Sequence, residues 1–404
     1  MVNERVKLAE VASIRGGKRL PAGKDFTTTE TPHPYIRARD IGGGKVEIHD
    51  AVFLDEGTAH TLRRYTVNKG DVCLTIVGAN VGKMGVVPPH LDGANLTENA
   101  VKIVSNGKAD QTFLKYALLG DDAMGQMKVL AGGAAQPKLG IYKIETIEFP
   151  FPPLPVQRRI AGILSAYDEW MENSQRRIRL LEAMARALYR EWFVHFRFPA
   201  HEKHPRVASP LGDIPQGWEV KTVKDACHLT MGQSPKSEFY NETGEGQPFH
   251  QGVTNFGERF PTDRLFCTVE GRVAEAGDIL FSVRAPVGRM NIADKKIIIG
   301  RGLSAIRHKD GHQAFLWEQL RNRFTEDDMM GNGAIFAAVT KDDMQGIELI
   351  CPPSPIVVAA TMHLEPIHTK LGTLTKQITN LRKTRDLLLP RLLSGSIELA
   401  TEKN

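Results

Sequence analysis

The glycine-rich stretch Gly78-Ala79-Asn80-Val81-Gly82-Lys83-Met84 has the residue types of a loop that cradles phosphate. A nucleotide-binding loop needs four residues between its glycines and a hydroxyl after the lysine to hold magnesium. Here three residues separate Gly78 from Gly82, and Met84 follows Lys83. Ile41-Gly42-Gly43-Gly44-Lys45 lacks the spacing of a dinucleotide fingerprint and reads as a turn. Pro88-Pro89-His90 has neither the preceding polar residue nor the following aromatic of an amino-methyltransferase loop. Asp263 and Glu270 are not followed by a lysine at the offset a nuclease would use, and neither H-E-x-x-H nor G-x-S-x-G occurs. His201 and His204 stand three apart with no third ligand nearby, the pattern of solvated histidines rather than of a metal site. The chain is therefore expected to have no active site, metal or cofactor of its own.

Composition agrees with a recognition role without requiring one. With 404 residues the chain can bury two or three cores, and its 41% hydrophobic and 25% charged residues are ordinary for a soluble protein. A net charge of +5 and a pI near 8.9 permit a polyanionic partner. Cys73, Cys227, Cys267 and Cys351 are too far apart for a C-x-x-C pair and read as four reduced thiols. The N-terminus has no apolar core of a signal peptide and no apolar run reaches membrane-span length, so a cytoplasmic location is expected.

Two long helices would position whatever does the recognising. After Pro152-Pro153-Leu154-Pro155, apolar residues recur in alternating steps of three and four at Leu164, Tyr167, Met171, Ile178, Leu181, Ala185, Leu188 and Trp192, interrupted by Ser174. After Pro352-Pro353-Ser354-Pro355 the phase returns at Leu364, Ile367, Leu371, Leu374, Ile378, Leu381 and Leu388, 200 positions on. So narrow a stripe suits a helix partner better than a globular core, and the natural partner of each copy is the other. The second copy departs from the first: Val357 replaces Gln157, and Pro366 and Gly372 predict that the helix starts or kinks near Pro366.

The segments outside the helices repeat as well. Short β-branched runs at 46–49, 72–77, 84–87 and 100–104 predict a curled sheet, followed by a helix over 111–130 that stops at Gly132-Gly133, and a last strand at 146–149. Gly70-Asp71-Val72-Cys73-Leu74 is echoed by Gly277-Asp278-Ile279-Leu280-Phe281, Val81-Gly82-Lys83-Met84 by Val287-Gly288-Arg289-Met290, and Gly132-Gly133-Ala134 by Asn332-Gly333-Ala334. Ile147-Glu148 returns as Ile347-Glu348, and Val6-Lys7-Leu8 resembles the opening of the second half at Trp218–Val223. The expected fold is α/β (α+β). Two similar domains with curled mixed sheets, 1–151 and 218–351, are separated by long helices at 152–196 and 352–400, packed as an antiparallel coiled coil with a pseudo-two-fold; the proline-rich stretch 197–217 reads as a linker.

A duplicated, mildly basic chain without a reaction of its own suits the reading of two separated patches on one long ligand, and duplex DNA is such a ligand. Candidate DNA contacts, all in or beside glycine-rich loops, are Arg37, Arg39, Asn80, Lys83, Gln136 and Lys138 in the first domain and Arg284, Arg289, Arg301 and Asn332 in the second.

Three stretches carry a family resemblance: Pro152-Pro153-Leu154-Pro155-Val156-Gln157-Arg158-Arg159-Ile160-Ala161, Arg190-Glu191-Trp192-Phe193-Val194-His195-Phe196, and Ser209-Pro210-Leu211-Gly212-Asp213-Ile214-Pro215-Gln216-Gly217-Trp218-Glu219. Together they resemble the specificity subunit of type I restriction-modification systems. The resemblance implies two target-recognition domains, each reading half of an interrupted double-stranded DNA target. It also implies helices that dock two methyltransferase subunits, which use S-adenosylmethionine to methylate adenine, and restriction (motor-nuclease) subunits that cleave with ATP and magnesium. Catalysis would then lie wholly in the partners. A free-standing bipartite DNA-binding regulator and a coiled-coil scaffold without a nucleic-acid role are the alternatives. A helix over 156–196 would be roughly 60 Å long at about 1.5 Å per residue, so the unread gap in the target should stay below two turns of DNA and grow if a heptad is inserted.

Overall fold

The computed structural model describes residues 4–132, 137–325, 339–397 and 399. They form two compact units, 1–171 with 380–404 and 172–379.

In the first unit a six-stranded sheet runs in the order Ala12–Gly16, Ala100–Ser105, Val72–Thr75, Met84–Val86, Gly44–Val46, Ile41–Gly42. It is antiparallel except where Gly44–Val46 lies parallel to Met84–Val86. Successive side chains of a strand face opposite sides, so Val72 and Leu74 join the core under Phe113 and Leu114 while Cys73 joins another with Ile36 and Val46. Burial on both faces is why this strand is an unbroken apolar run in the sequence. The helical stretch over 111–130 is two helices, Gln111–Leu119 and Asp121–Ala131, because Gly120 is extended (φ −65°, ψ 149°). A Cβ at Gly120 would come within 2.8 Å of Leu393 Cδ1, so the chain bends where the last helical segment of the same unit presses on it. The strand near 46–49 ends at Val46, and the last strand is Glu148–Pro150, paired with Arg5–Lys7.

The second unit repeats this plan. Cys227–Met231, Leu303–His308, Ile279–Ser282 and Met290–Ile292 form a four-stranded antiparallel sheet, and Glu219–Thr222 pairs with Glu348–Cys351. Ile279 and Phe281 face one core and Leu280 another, the alternation of Val72, Cys73 and Leu74 again. Equivalent hydrogen bonds recur: Leu8 N to Ile147 O and Val223 N to Ile347 O are both 2.8 Å, and Leu139 N to Ile76 O (2.9 Å) matches Val339 N to Val283 O (2.8 Å). The 197–217 stretch is folded within this unit: Arg206–Val207 pairs with Ile214–Pro215, and Phe198, Ile214 and Trp218 are buried with Phe193 and Phe315. His201 turns Nδ1 to Phe198 O, and His204 packs on the Phe198 ring.

The long helices are Leu154–Tyr189, extended by a π-turn over Arg190–Val194, and Ser354–Leu393. Leu154 starts the first, leaving Pro155 in the first turn, where a missing N–H costs nothing. The second runs through Pro366 and Gly372, which corrects the expectation of a start at Pro366. Pro366 is exposed, so the carbonyl it leaves unpaired can face water, while Leu364, His368 and Leu371 on the other side are buried. That burial offsets a proline cost of about 3 kcal/mol. Gly372 gives room to Phe260, whose ring carbon would lie 3.3 Å from an added Cβ.

Within the first unit Leu164 shares a core with Leu388 and Leu392, and Asp168 bonds Arg385, so the two helical segments there run in opposite directions. Within the second, Ala185, Leu188 and Tyr189 share a core with Val357, Ala360, Leu364 and Ile367. Leu164, Ile178, Leu371, Leu374 and Ile378 are buried, whereas Tyr167, Met171, Leu181 and Leu381 are half-buried. Gln157 is buried at the start of the first long helix: Oε1 accepts from Asp110 N (2.9 Å) and Nε2 donates to Pro152 O (2.8 Å). Val357 at the matching place joins an apolar core instead.

Cys73, Cys227 and Cys267 are buried and Cys351 is half-buried. Burial pushes the Cys73 and Cys227 thiols up to about 12, leaving almost no thiolate at neutral pH. A colorimetric thiol reagent should therefore titrate Cys73 and Cys227 only after denaturant is added. Fast reaction of either in the native protein would contradict the packing described.

Candidate nucleic-acid interface

Each unit builds the same loop at the end of its central strand. In the first, Thr75 N donates to Lys83 O (2.9 Å) and Gly82 N to Thr75 O (3.0 Å), closing residues 76–81 into a loop. In the second, Ser282 N donates to Arg289 O (2.9 Å) and Gly288 N to Ser282 O (3.1 Å). Gly82 and Gly288 both have φ 86°, a conformation other residues rarely adopt, so the loop requires glycine there. The residue that follows, Lys83 or Arg289, is exposed in both units. The resemblance to a nucleotide loop thus ends in a strand connection that lifts one cation into solvent.

The candidates of the first unit gather round this loop. Lys138 is joined to it by the bridge between Val77 and Lys138 and by the bond from Gly78 N to Pro137 O (3.1 Å). Lys83 lays its stem along Gly42, and Asn80 lies half-buried within the loop. Arg37 precedes the short helix Ala38–Asp40 and Arg39 lies within it, beside Thr75. Their charges are engaged: Arg37 Nε lies 3.3 Å from Asp40 and its Nη2 bonds the Asp50 carbonyl, while Arg39 pairs with Asp50 at 3.1 Å. Lys83 and Lys138 pair with no carboxylate among the described residues.

In the second unit Arg284, Arg289 and Arg301 are all exposed. Val283 N bonds Gly302 O (3.0 Å), which sets Arg284 beside Arg301 at the crossing of two strand ends. Gln136 and Asn332 lie outside the described residues. Lys18, Glu98, Gln233 and Gln251, which were not among the candidates, stand beside the same strand ends. No local motif marks them, since they come together only through the sheet. Among the described residues no cluster of three His, Cys, Asp or Glu side chains could hold a metal, and no helix is long and apolar enough to cross a membrane.

Two related sheets, each ending in a glycine-built loop that exposes a cation, define a protein built from two copies of one unit, an arrangement suited to a polyanion. Comparison with known proteins then places it. The chain belongs to the family of the type I restriction modification DNA specificity domain, whose model matches residues 3–183 and again 215–382. A Methanocaldococcus jannaschii chain assigned to the MjaX type I restriction enzyme as its specificity subunit is 28% identical over 99% of this chain and 94% of its own. The MjaIX type I restriction enzyme specificity subunit of the same organism is 26% identical over 97% and 93%. The solved S subunit of a type I restriction-modification system from M. genitalium shares the fold with a TM-score of 0.65 at 16% identity, covering 99% of this chain and 97% of that one.

Proposed function

We propose that this chain is the DNA-specificity component of a type I restriction-modification assembly, with each unit reading one half of an interrupted target. It performs no catalysis itself. Adenine methylation with S-adenosylmethionine and ATP-dependent cleavage belong to methyltransferase and motor-nuclease partners. The observation that carries this reading is the duplicated strand-end loop, closed by the same hydrogen bonds in both units and bearing Lys83 in one and Arg289 in the other. A cation held on a glycine turn at equivalent places in two units is suited to positioning each unit on a phosphate backbone.

Apolar side chains left in solvent on the long helices favour a subunit over a free-standing regulator. Leu180 and Met184 are 59% and 58% exposed one helical turn apart, and Met362 is 72% exposed. Such residues are suited to a partner surface. The deciding experiment is long-read mapping of modified adenines in DNA from cells expressing the chain with its cognate methyltransferase subunit. An interrupted motif is expected, and its loss in cells lacking the chain; methylation unchanged by removing the chain would overturn the reading.

The loops give a second measurable result. Lys83→Gln and Arg289→Gln should each weaken binding of the assembled complex evenly across DNA sequences. Each should also reduce the slope of log affinity against log salt by about 1. An unchanged slope in both would remove these loops from the phosphate contacts.

A further inference from the structure

The duplication lets each unit serve as a reference for the other. Gly17 N bonds Ala100 O (3.0 Å) and Gly232 N bonds Leu303 O (2.9 Å); Lys18 N bonds Leu96 O (2.9 Å) and Gln233 N bonds Ile299 O (3.0 Å). Thr97 N to Ile36 O (3.0 Å) corresponds to Gly300 N to His250 O (2.9 Å), and Ile76 N to Asn99 O (2.8 Å) to Val283 N to Gly302 O (3.0 Å). The parallel pairs Ile36 with Leu96 and His250 with Ile299 complete the match. At Gly17 and Gly232 an added Cβ would lie 2.2 Å from Thr97 O and 2.1 Å from Gly300 O, so the crossing admits only bare backbone in both copies.

Three side chains leave this crossing in each unit: Lys18, Arg37 and Glu98 in the first, Gln233, Gln251 and Arg301 in the second. The backbone is the same and the chemistry is exchanged. Some positions around it keep their type, as in Thr75 and Ser282, Ile103 and Ile306, and Gly82 and Gly288, while others change with the local packing, as in Ile36 and His250 or Thr97 and Gly300. The cation of the strand-end loop keeps its sign in Lys83 and Arg289, as a phosphate contact should. At the crossing a lysine becomes a glutamine, an arginine becomes a glutamine, and a glutamate becomes an arginine. Packing does not demand a charge reversal at Glu98 and Arg301, since the first is half-buried and the second exposed. Two heads that read different sequences would use different groups there, because base identity is read by the donor and acceptor pattern while phosphates are the same everywhere.

Resting on the reading that each unit binds DNA, we propose that positions 98 and 301, one backbone position in two copies, are specificity-determining residues. Glu98 accepts from the amino group of a cytosine in the half-target of the first unit, and Arg301 donates to a guanine in that of the second. Lys18 with Arg37 and Gln233 with Gln251 flank them. Glu98 has the capacity: Oε2 accepts from Thr97 Oγ1 at 3.1 Å, and Oε1 has Arg19 Nε at 3.8 Å, too far for a hydrogen bond, leaving lone pairs for a base. The Arg301 main-chain N–H is anchored on Ser234 Oγ (3.1 Å), and its guanidinium pairs with no carboxylate among the described residues, so the donor fork is free to meet guanine O6 and N7.

The test uses the full chain assembled with its methyltransferase subunit and maps methylated adenines for the wild type, Glu98→Gln, Arg301→Gln, and Lys128→Gln as a control on an exposed helix position. Binding to oligonucleotides altered one base pair at a time accompanies the maps. Discrimination at one base pair should fall about 10- to 100-fold in Glu98→Gln with the other half-target intact, and Arg301→Gln should do the same in the other half. Arg301→Lys, which keeps the charge and loses the fork, should lose the discrimination while retaining overall affinity, and so answers the question even if a neutral variant folds poorly. Unchanged motifs in Glu98→Gln and Arg301→Gln, or a loss equal for every DNA sequence, would overturn the inference. Absence of an interrupted motif in the wild type would overturn the proposed function instead.

Discussion

Glu318→Ala should lower the stability of the second unit by about 3–5 kcal/mol, the cost of removing one partner from a buried ionic group. Glu318, His368 and Arg259 are 2%, 7% and 7% exposed. The Glu318 carboxylate bonds His368 Nε2 at 2.9 Å, and Arg259 Nη2 lies 2.9 Å from His368 Nδ1. A guanidinium can only donate, so Nδ1 accepts and the imidazole proton sits on Nε2, facing the carboxylate. Burial lowers Arg259 to about 10, which still leaves it charged at neutral pH. The ring thus relays the carboxylate's charge toward the arginine, and the Trp317 ring packs against Arg259 and His368. Without Glu318 the arginine keeps its charge and the imidazole loses its acceptor, while Glu182 and Glu365 still face the guanidinium. Because the chain has two units, the measurement is amide exchange over 313–325 together with urea unfolding, and a loss under 1 kcal/mol would refute the account. Replacing both Glu318 and Arg259 by methionine should recover much of the loss, since no charge is then stranded.

That triad also marks where reading the sequence stops. The heptad spacing put Leu364, Leu371, Leu374 and Ile378 on one seam of the helix, and all four are buried, because periodicity reports which side of a helix avoids water. It passed over His368, which lies on the same side, because a buried imidazole is intelligible only with Glu318 and Arg259 in place, 50 and 109 residues away. Pro366 pointed to a start that does not occur: its local propensity is strong, and burial of neighbouring side chains carries the helix through it. The break at Gly120 comes from Leu393, far along the chain, so the local pattern read as one helix.

The duplication was legible where spacing is preserved, as at Ile147 and Ile347. It was legible in the strand-end loops too, because glycine is obligatory at Gly82 and Gly288. The crossing that gathers Lys18, Arg37 and Glu98 draws on three chain segments with different loop lengths in the two copies. Matching Glu98 to Arg301 therefore required the hydrogen-bond register. Sequence reasoning chose arginines in glycine-rich loops and so included Arg301 among its candidates, but no local pattern singles out Glu98, which only the register sets at the equivalent position.

Asp168→Asn should destabilise the first unit by about 2–4 kcal/mol at pH 7, and the deficit should shrink with acid. Asp168 receives Lys115 Nζ at 2.6 Å, the Tyr116 hydroxyl at 2.7 Å and Arg385 Nη1 at 2.7 Å, joining the helix Gln111–Leu119 to both long-helix segments of that unit. Its side chain is 20% exposed, beside Lys115 at 17% and Arg385 at 28%, so solvent screens the group only in part. The neutral amide would leave two cations facing each other. Burial alone would raise the Asp168 carboxyl, but the two cations and the tyrosine hydroxyl outweigh it and hold the group below its ordinary 3.8. A carboxyl depressed on folding stabilises the folded state above the unfolded-state value, near pH 4. That contribution is lost as pH falls through the lower folded value. Amide exchange over 154–171 and 380–393, compared for wild type and variant at pH 7 and through urea unfolding down to pH 3, should show a gap that narrows below about pH 4. A gap of the same size at both ends of that range would mean that Asp168 acts through shape and hydrogen bonding rather than through its charge.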